Sequence, residues 1–166
     1  ESLKVKRFWF AKNYYLFFGA CESPSYIRLN SFKTNFMHIL HVSAECYPVA
    51  KAGGLGDVVG ALPKYLNKEG HQAKVIMPMY RTPFLQKHQW EVVHKGQSNL
   101  GDYFFDYTII REKTDVLGFE LYLVDIYGLL DREKIYGYDD DSSRFTAFQI
   151  AVVDWLAAFE APYRPD

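Results

Sequence analysis

The sequence predicts an α/β fold with a parallel sheet and a β-rich insertion. Three observations lead there: a strand–loop–helix–strand succession after Met37, a run of strand-like segments behind it, and a closing amphipathic helix. The 166 residues, 49% of them hydrophobic, suit one domain with an appendage. A chain of this size buries roughly 70% of its unfolded surface. A formal charge of -1 gives no electrostatic case for nucleic acid or an anionic membrane. No apolar run approaches the ~20 residues that cross a bilayer. Two cysteines, Cys21 and Cys46, cannot build a disulfide framework or a four-ligand zinc site, and inert thiols in a reducing cytosol are expected.

The chain is divided at Met37. Residues 1–36 carry six basic groups against two acids and are crowded with aromatics, yet no helical or alternating period orders them. Lys12 and Asn13 interrupt the apolar stretch that a secretory signal would need. This leader is expected to be disordered or translated from upstream sequence, with an ordinary N-terminal extension as the alternative. Residues 37–166 are expected to hold the structured part.

Met37–Ser43 is a short apolar run and reads as a buried strand. Asp57–Glu69 reads as a helix, with Val58, Ala61, Leu62, Tyr65 and Leu66 on one face. Asp57 is placed to accept from the free N–H groups at its start and Gly70 to end it; Pro63 predicts a kink or a late start. Gln72–Pro78 is the second strand, parallel to the first in a βαβ unit. Trp90–Lys95, Tyr103–Arg111 and Gly118–Asp125 read as strands of more antiparallel character. Ser143–Glu160 reads as a helix capped by Ser142 or Ser143, with Phe145, Phe148, Val152, Trp155 and Phe159 on its core stripe.

Lys51-Ala52-Gly53-Gly54-Leu55-Gly56-Asp57 joins the first strand to its helix. In open parallel sheets ligands sit beyond the carboxyl ends of the strands, where this loop lies. Its glycines permit positive φ and close backbone approach. The helix N-terminus offers N–H groups and a dipole worth about 0.3–1 kcal/mol per anion contact, and Lys51 adds a full charge. A phosphate or diphosphate suits this combination; a purely structural turn is the competing reading. The spacing Gly54-x-Gly56-x-x-x-Gly60 misses the dinucleotide fingerprint by one residue, and no P-loop motif exists. Glu45 borders the same edge, but nothing local demands catalysis of it. Asp139–Asp141 reads as a solvated run favouring the next helix, and the five histidines as surface or satisfied groups.

The string ILHVSAECYPVAKAGGLGDVVGALPKYL, Ile39–Leu66, resembles the N-terminal signature of bacterial glycogen synthases and plant starch synthases. The resemblance continues through His71–Pro78, Leu121–Asp125 and Ile135–Phe148, covering residues 37–166. It implies a GT-B enzyme built of two Rossmann-like domains, of which this is an incomplete N-terminal one. Such enzymes move glucose from ADP-glucose to the non-reducing end of an α-1,4-glucan with retention, without metal or other cofactor, in the cytoplasm. By the same resemblance Lys51 and the Gly53-Gly54 backbone contact the donor diphosphate. Asp57 matches an acid lining the sugar site, and Tyr136 a tyrosine of the donor or acceptor pocket, with Tyr138 as its rival. The C-terminal domain that supplies the other catalytic groups is missing, so this piece alone is expected to be inactive. A transferase using another sugar nucleotide and a noncatalytic glucan-binding module are the alternatives.

Overall fold

The computed structural model describes residues 36–114 and 116–158, with Pro165. The expectations for residues 1–35, for Cys21 and for Phe159 lie outside them. Five strands form one sheet in the order β1-β2-β5-β4-β3: β1 His38–Val42, β2 Gln72–Pro78, β3 Trp90–Leu100, β4 Tyr103–Glu112 and β5 Glu120–Asp125. Strands β1, β2 and β5 are mutually parallel, whereas β3 and β4 join as an antiparallel ribbon along β5. The parallel βαβ unit and the antiparallel insertion are both present as expected.

Helices cover both faces. Alternate residues of β2 and β5 point in opposite directions. Val75, Met77, Leu121 and Leu123 join Val59 of helix α1 (Gly54–Lys68) in one core. Ile76, Tyr122 and Val124 join Ala147, Phe148, Ala151, Val152 and Trp155 of α3 (Asp141–Ala157) in the other. Burial on both faces explains why these two strands read as unbroken apolar runs. A five-residue helix, α2 (Pro83–Lys87), follows β2 where no element was expected.

Three expectations about the helices are corrected. First, α1 begins at Gly54 with Gly53 as N-cap, not at Asp57. The capping carboxylate comes from Glu45, whose Oε2 accepts the N–H groups of Ala52 at 2.8 Å and Gly53 at 2.9 Å. Second, α1 buries Gly56, Val59, Gly60 and Pro63, while Val58, Leu62 and Tyr65 are exposed. The reason is close approach: a Cβ on Gly60 would stand 2.4 Å from the Tyr47 carbonyl oxygen. Only the hydrogen-faced side of the helix lets the backbones come this near. Third, α3 starts at Asp141 behind Asp140, whose side chain makes no capping bond, so neither Ser142 nor Ser143 is the cap.

The end of α1 is as expected. Gly70 has φ +93°, Gly70 N–H donates to the Asn67 carbonyl and His71 N–H to that of Leu66. These two bonds satisfy carbonyls that the helix leaves open, and only glycine takes that φ without strain.

Candidate functional site

The loops that leave β1, β2 and β5 come out on one edge of the sheet, because the three strands run in the same direction. Each contributes a polar side chain. After β1 the chain makes a tight knot: Cys46 and Ala50 exchange backbone bonds of 3.0 Å, and Tyr47 N–H reaches the Gly56 carbonyl at 2.9 Å. After β2, the Tyr80 hydroxyl donates to the Ala44 carbonyl at 3.0 Å and pins the knot from below. After β5, the loop 126–140 delivers Tyr136.

Glu45 joins these pieces. It is only 4% exposed, yet its carboxylate accepts the Tyr136 hydroxyl on Oε1 at 2.9 Å as well as the two loop N–H groups on Oε2. Burial by itself would raise the Glu45 carboxyl. The N–H groups of Gly53 and Ala52, the Tyr136 hydroxyl and the Gly56 N–H together hold it below the ordinary range, so it is an anion at neutral pH. Tyr136 responds in the opposite sense: burial, then its bond to Glu45 and the charges of Glu45 and Asp141, push its hydroxyl up to about 12. The phenol is therefore a neutral donor.

Lys51 Nζ lies 2.8 and 2.6 Å from the two carboxylate oxygens of Asp57, across the first turn of α1. Their side chains are 40% and 57% exposed. An exposed ion pair of this kind contributes about 0–1 kcal/mol, so an incoming anion can take the ammonium from Asp57 at little cost. Asp57 is thus a partner of Lys51, not the cap of the helix.

The glycine loop differs from its expected form. Gly53 has φ −143° and none of Gly53, Gly54 and Gly56 takes a positive φ. The Gly53 N–H is already bonded to Glu45, which leaves the first-turn amides of Gly54 and Leu55 as the N–H groups lacking an intrahelical acceptor. A Cβ placed on Gly53 or Gly54 would meet nothing within 4 Å, so neither glycine is needed for packing among the described residues. Gly56 is a packing glycine, its Cβ position only 3.0 Å from Lys51 Cγ.

Lys51, Gly53, Gly54, Asp57 and Tyr136 are therefore linked, through Glu45 or through the turn of α1, in one patch. Tyr138 stands apart from it. Its hydroxyl accepts the Lys134 N–H at 3.1 Å, and its ring lies under Arg132 and Arg144. Sequence reasoning puts Glu45 at this edge but gives it no role, since a single acid after a strand carries no spacing signal. Its position between apolar Ala44 and Cys46, just beyond the strand, was the available hint. Two residues of the Asp139–Asp141 run stand at the start of α3 with arginine partners: Asp140 pairs with Arg132 and Asp141 with Arg144. Cys46 is fully buried and burial pushes its thiol up to about 12, consistent with an inert group.

Chemically, the patch offers a movable cation, two free helix-start amides, a fixed carboxylate and a neutral phenol. That set neutralises an anion and hydrogen-bonds hydroxyl groups. No described helix is long and apolar enough to cross a membrane.

Comparison with known proteins identifies the family. The family model for the starch synthase catalytic domain matches residues 38–166. The glycogen synthase of Flavobacterium johnsoniae is 51% identical over 122 residues, which cover 74% of this chain and 26% of that protein. The glycogen synthase of Clostridioides difficile is 38% identical over 135 residues, 78% of this chain and 27% of its own length. Among solved structures, the catalytic domain of starch synthase IV from Arabidopsis thaliana, bound to ADP and acarbose, is similar with a TM-score of 0.69 and 27% identity. The match covers 79% of this chain and 27% of that one. The chain thus spans about a quarter of the length of the curated relatives it matches. The likeness carries the expected fold class, an α/β domain of the GT-B kind with a partly parallel sheet. With the match running over nearly every described residue, the chain belongs to the family of starch synthase catalytic domains.

Proposed function

We propose that the full-length protein transfers glucose from ADP-glucose to the non-reducing end of an α-1,4-glucan with retention, and that residues 37–166 furnish one wall of its cleft. The observation that carries this reading is the Lys51–Asp57 turn. It lies at the carboxyl edge of the parallel strands, its ammonium is paired with the exposed Asp57, and the Gly54 and Leu55 amides begin a 15-residue helix. Nothing but hydrogen stands on Gly53 and Gly54, so a diphosphate can lie against bare backbone there.

In this reading Lys51 swings from Asp57 to the donor diphosphate and stabilises the charge that builds as the nucleoside diphosphate departs. A preorganised donor of this kind is worth ~2.7–4 kcal/mol of barrier. Asp57, released, faces the sugar hydroxyls, and Tyr136, whose one proton goes to Glu45, accepts from a sugar hydroxyl at the pocket that holds donor or acceptor. Glu45 keeps Tyr136 and the loop in register. The relative from Arabidopsis, solved with ADP and the glucan-like acarbose, supports a nucleotide and an oligosaccharide as the two ligands. The remaining catalytic groups come from a C-terminal domain of the same chain, so residues 37–166 alone are inactive. A cytoplasmic setting suits the unpaired, buried Cys46.

The test is transfer from ADP-glucose by the full-length protein, with UDP-glucose as competitor, before and after Lys51→Ala. The expected result is preference for the adenine donor and a loss of about 100-fold in kcat/KM on substitution. Preference for the uridine donor would assign another transferase, and binding of glucan without transfer would assign a noncatalytic module.

A further inference from the structure

Tyr136 is gripped on both sides by an ion pair that is not part of the Lys51 turn. Arg144, in the first turn of α3, has no exposed surface. Its Nε donates to the Leu129 carbonyl at 3.1 Å, and its Nη1 donates to the Ile135 carbonyl at 3.0 Å and to Asp141 Oδ1 at 2.8 Å. The other oxygen of Asp141 accepts the Gly137 N–H at 2.7 Å. Ile135 and Gly137 are the chain neighbours of Tyr136, so the pair holds the peptide immediately before the tyrosine and the one immediately after it. Gly137 takes φ +98°, which turns the chain sharply past Tyr136. The guanidinium is boxed in by the rings of Tyr138 at 4.9 Å and Phe145 at 5.0 Å, and the Phe145 ring also packs on Tyr136 at 5.7 Å.

The grip seats Ile135, which belongs to the core, but it reaches past it: Tyr136 itself is 42% exposed, so the brace also orients a side chain that the core does not need. A buried cation is also a poor way to gain stability, since an apolar residue of similar volume is often neutral or better. What a planar fork adds is geometry: two carbonyls and a carboxylate held at once in fixed directions.

We infer that Arg144 is a positioning residue for Tyr136: together with Asp141 it fixes the Ile135–Gly137 segment so that the phenol meets Glu45 and points into the cleft. This rests on the proposed transferase reading for its kinetic consequence, but not for its geometry.

The experiment is a double-mutant cycle in the full-length protein, read on kcat and KM, with 19F resonances of 3-fluorotyrosine placed at position 136. Arg144→Gln is expected to lower kcat/KM about tenfold or more in the presence of Tyr136, and less than twofold in a Tyr136→Phe background. Arg144→Lys keeps the charge but not the fork and is expected to restore little of the loss. The 19F shift in Arg144→Gln is expected to move to that of Glu45→Ala, where the phenol has no carboxylate to meet. Should Arg144→Gln fail to fold, Asp141→Asn takes its place in the kinetic cycle and Arg144→Lys in the resonance measurement. Asp141→Asn removes the charge paired with Arg144 and one of the two acceptor oxygens but leaves the Arg144 bonds to the Leu129 and Ile135 carbonyls. Losses that simply add across the cycle, or a resonance that stays at the wild-type position, overturn the proposal. If the wild-type protein transfers no glucose, the functional reading fails while the resonance still decides whether Arg144 orients Tyr136.

Discussion

The site edge and the β3–β4 ribbon belong to one sheet, yet they hold their shape by different means. In the ribbon the backbone ladder does the holding: ten registered residue pairs link β3 to β4, broken only by a bulge between Val92 and His94. One of its polar side-chain pairs, Gln97 with Asp106, lies on the outside, and a second, His94 with Tyr107, reaches the covered face. At the site edge there is no ladder. Loops after β1 and β5 are held by buried side chains, chiefly Glu45 at 4% exposure and Arg144 at 0%. Regular backbone is insensitive to any one side chain, whereas an irregular loop tied through a single carboxylate depends on it. The site therefore trades robustness for the ability to place N–H groups, a cation and a phenol where repeating structure could not put them.

The strongest way to break this comparison is Glu45→Ala. It strands the Ala52 and Gly53 N–H groups and the Tyr136 hydroxyl together, and is expected to cost about 3 kcal/mol in urea unfolding with at least 100-fold in kcat/KM. A loss no larger than that of a ribbon substitution would show that the carboxylate does not hold the loops. Next comes Gly60→Ala. In an exposed helix interior this change gains about 1 kcal/mol, but here the new Cβ would meet the Tyr47 carbonyl at 2.4 Å. The sign is expected to reverse, to a destabilisation of about 1–3 kcal/mol by thermal or urea midpoint.

Acid sharpens the contrast further. The Glu45 carboxyl titrates below its ordinary value of 4.5 in the folded protein. Its contribution is thus complete above the unfolded value and is lost as pH falls through the lower folded one. Stability measured from pH 7 downward is expected to fall less steeply below about pH 4.5 in Glu45→Gln than in the wild type. At the small end, Gln97→Ala in the ribbon is expected to stay within ~0.5 kcal/mol of the parent, since its bond to Asp106 is exposed.

The same division decides what could be read from the sequence. Strand β2 occupies the predicted Gln72–Pro78, because a strand covered on both faces announces itself as an apolar run. The end of α1 was equally legible, since Gly70 has a local task. The buried face of α1 was not. Two stripes overlap on that helix, and hydropathy favours Val58, Leu62 and Tyr65, while the packing is set by how near Gly56 and Gly60 let it approach Tyr47. Likewise proximity in sequence points to Asp57 as the capping carboxylate, but the helix begins three residues earlier and Glu45 holds the Ala52 and Gly53 N–H groups at its entrance, from eight residues upstream of Gly53. Lys51, Gly53, Gly54 and Asp57 stood out as a contiguous string. Tyr136 came from resemblance alone, and Arg144 was invisible because its role lies in backbone groups that no pattern encodes.

The central claim is that the Lys51 ammonium is poised over the seat of a diphosphate and contributes almost nothing to the fold. Inhibition by ADP of the full-length protein, measured beside its urea midpoint, tests this for Lys51→Ala. The account predicts ADP binding weakened by about 100-fold with stability within ~1 kcal/mol of the parent. Unaltered ADP binding, or a collapse in stability that accounts for the loss, would contradict it.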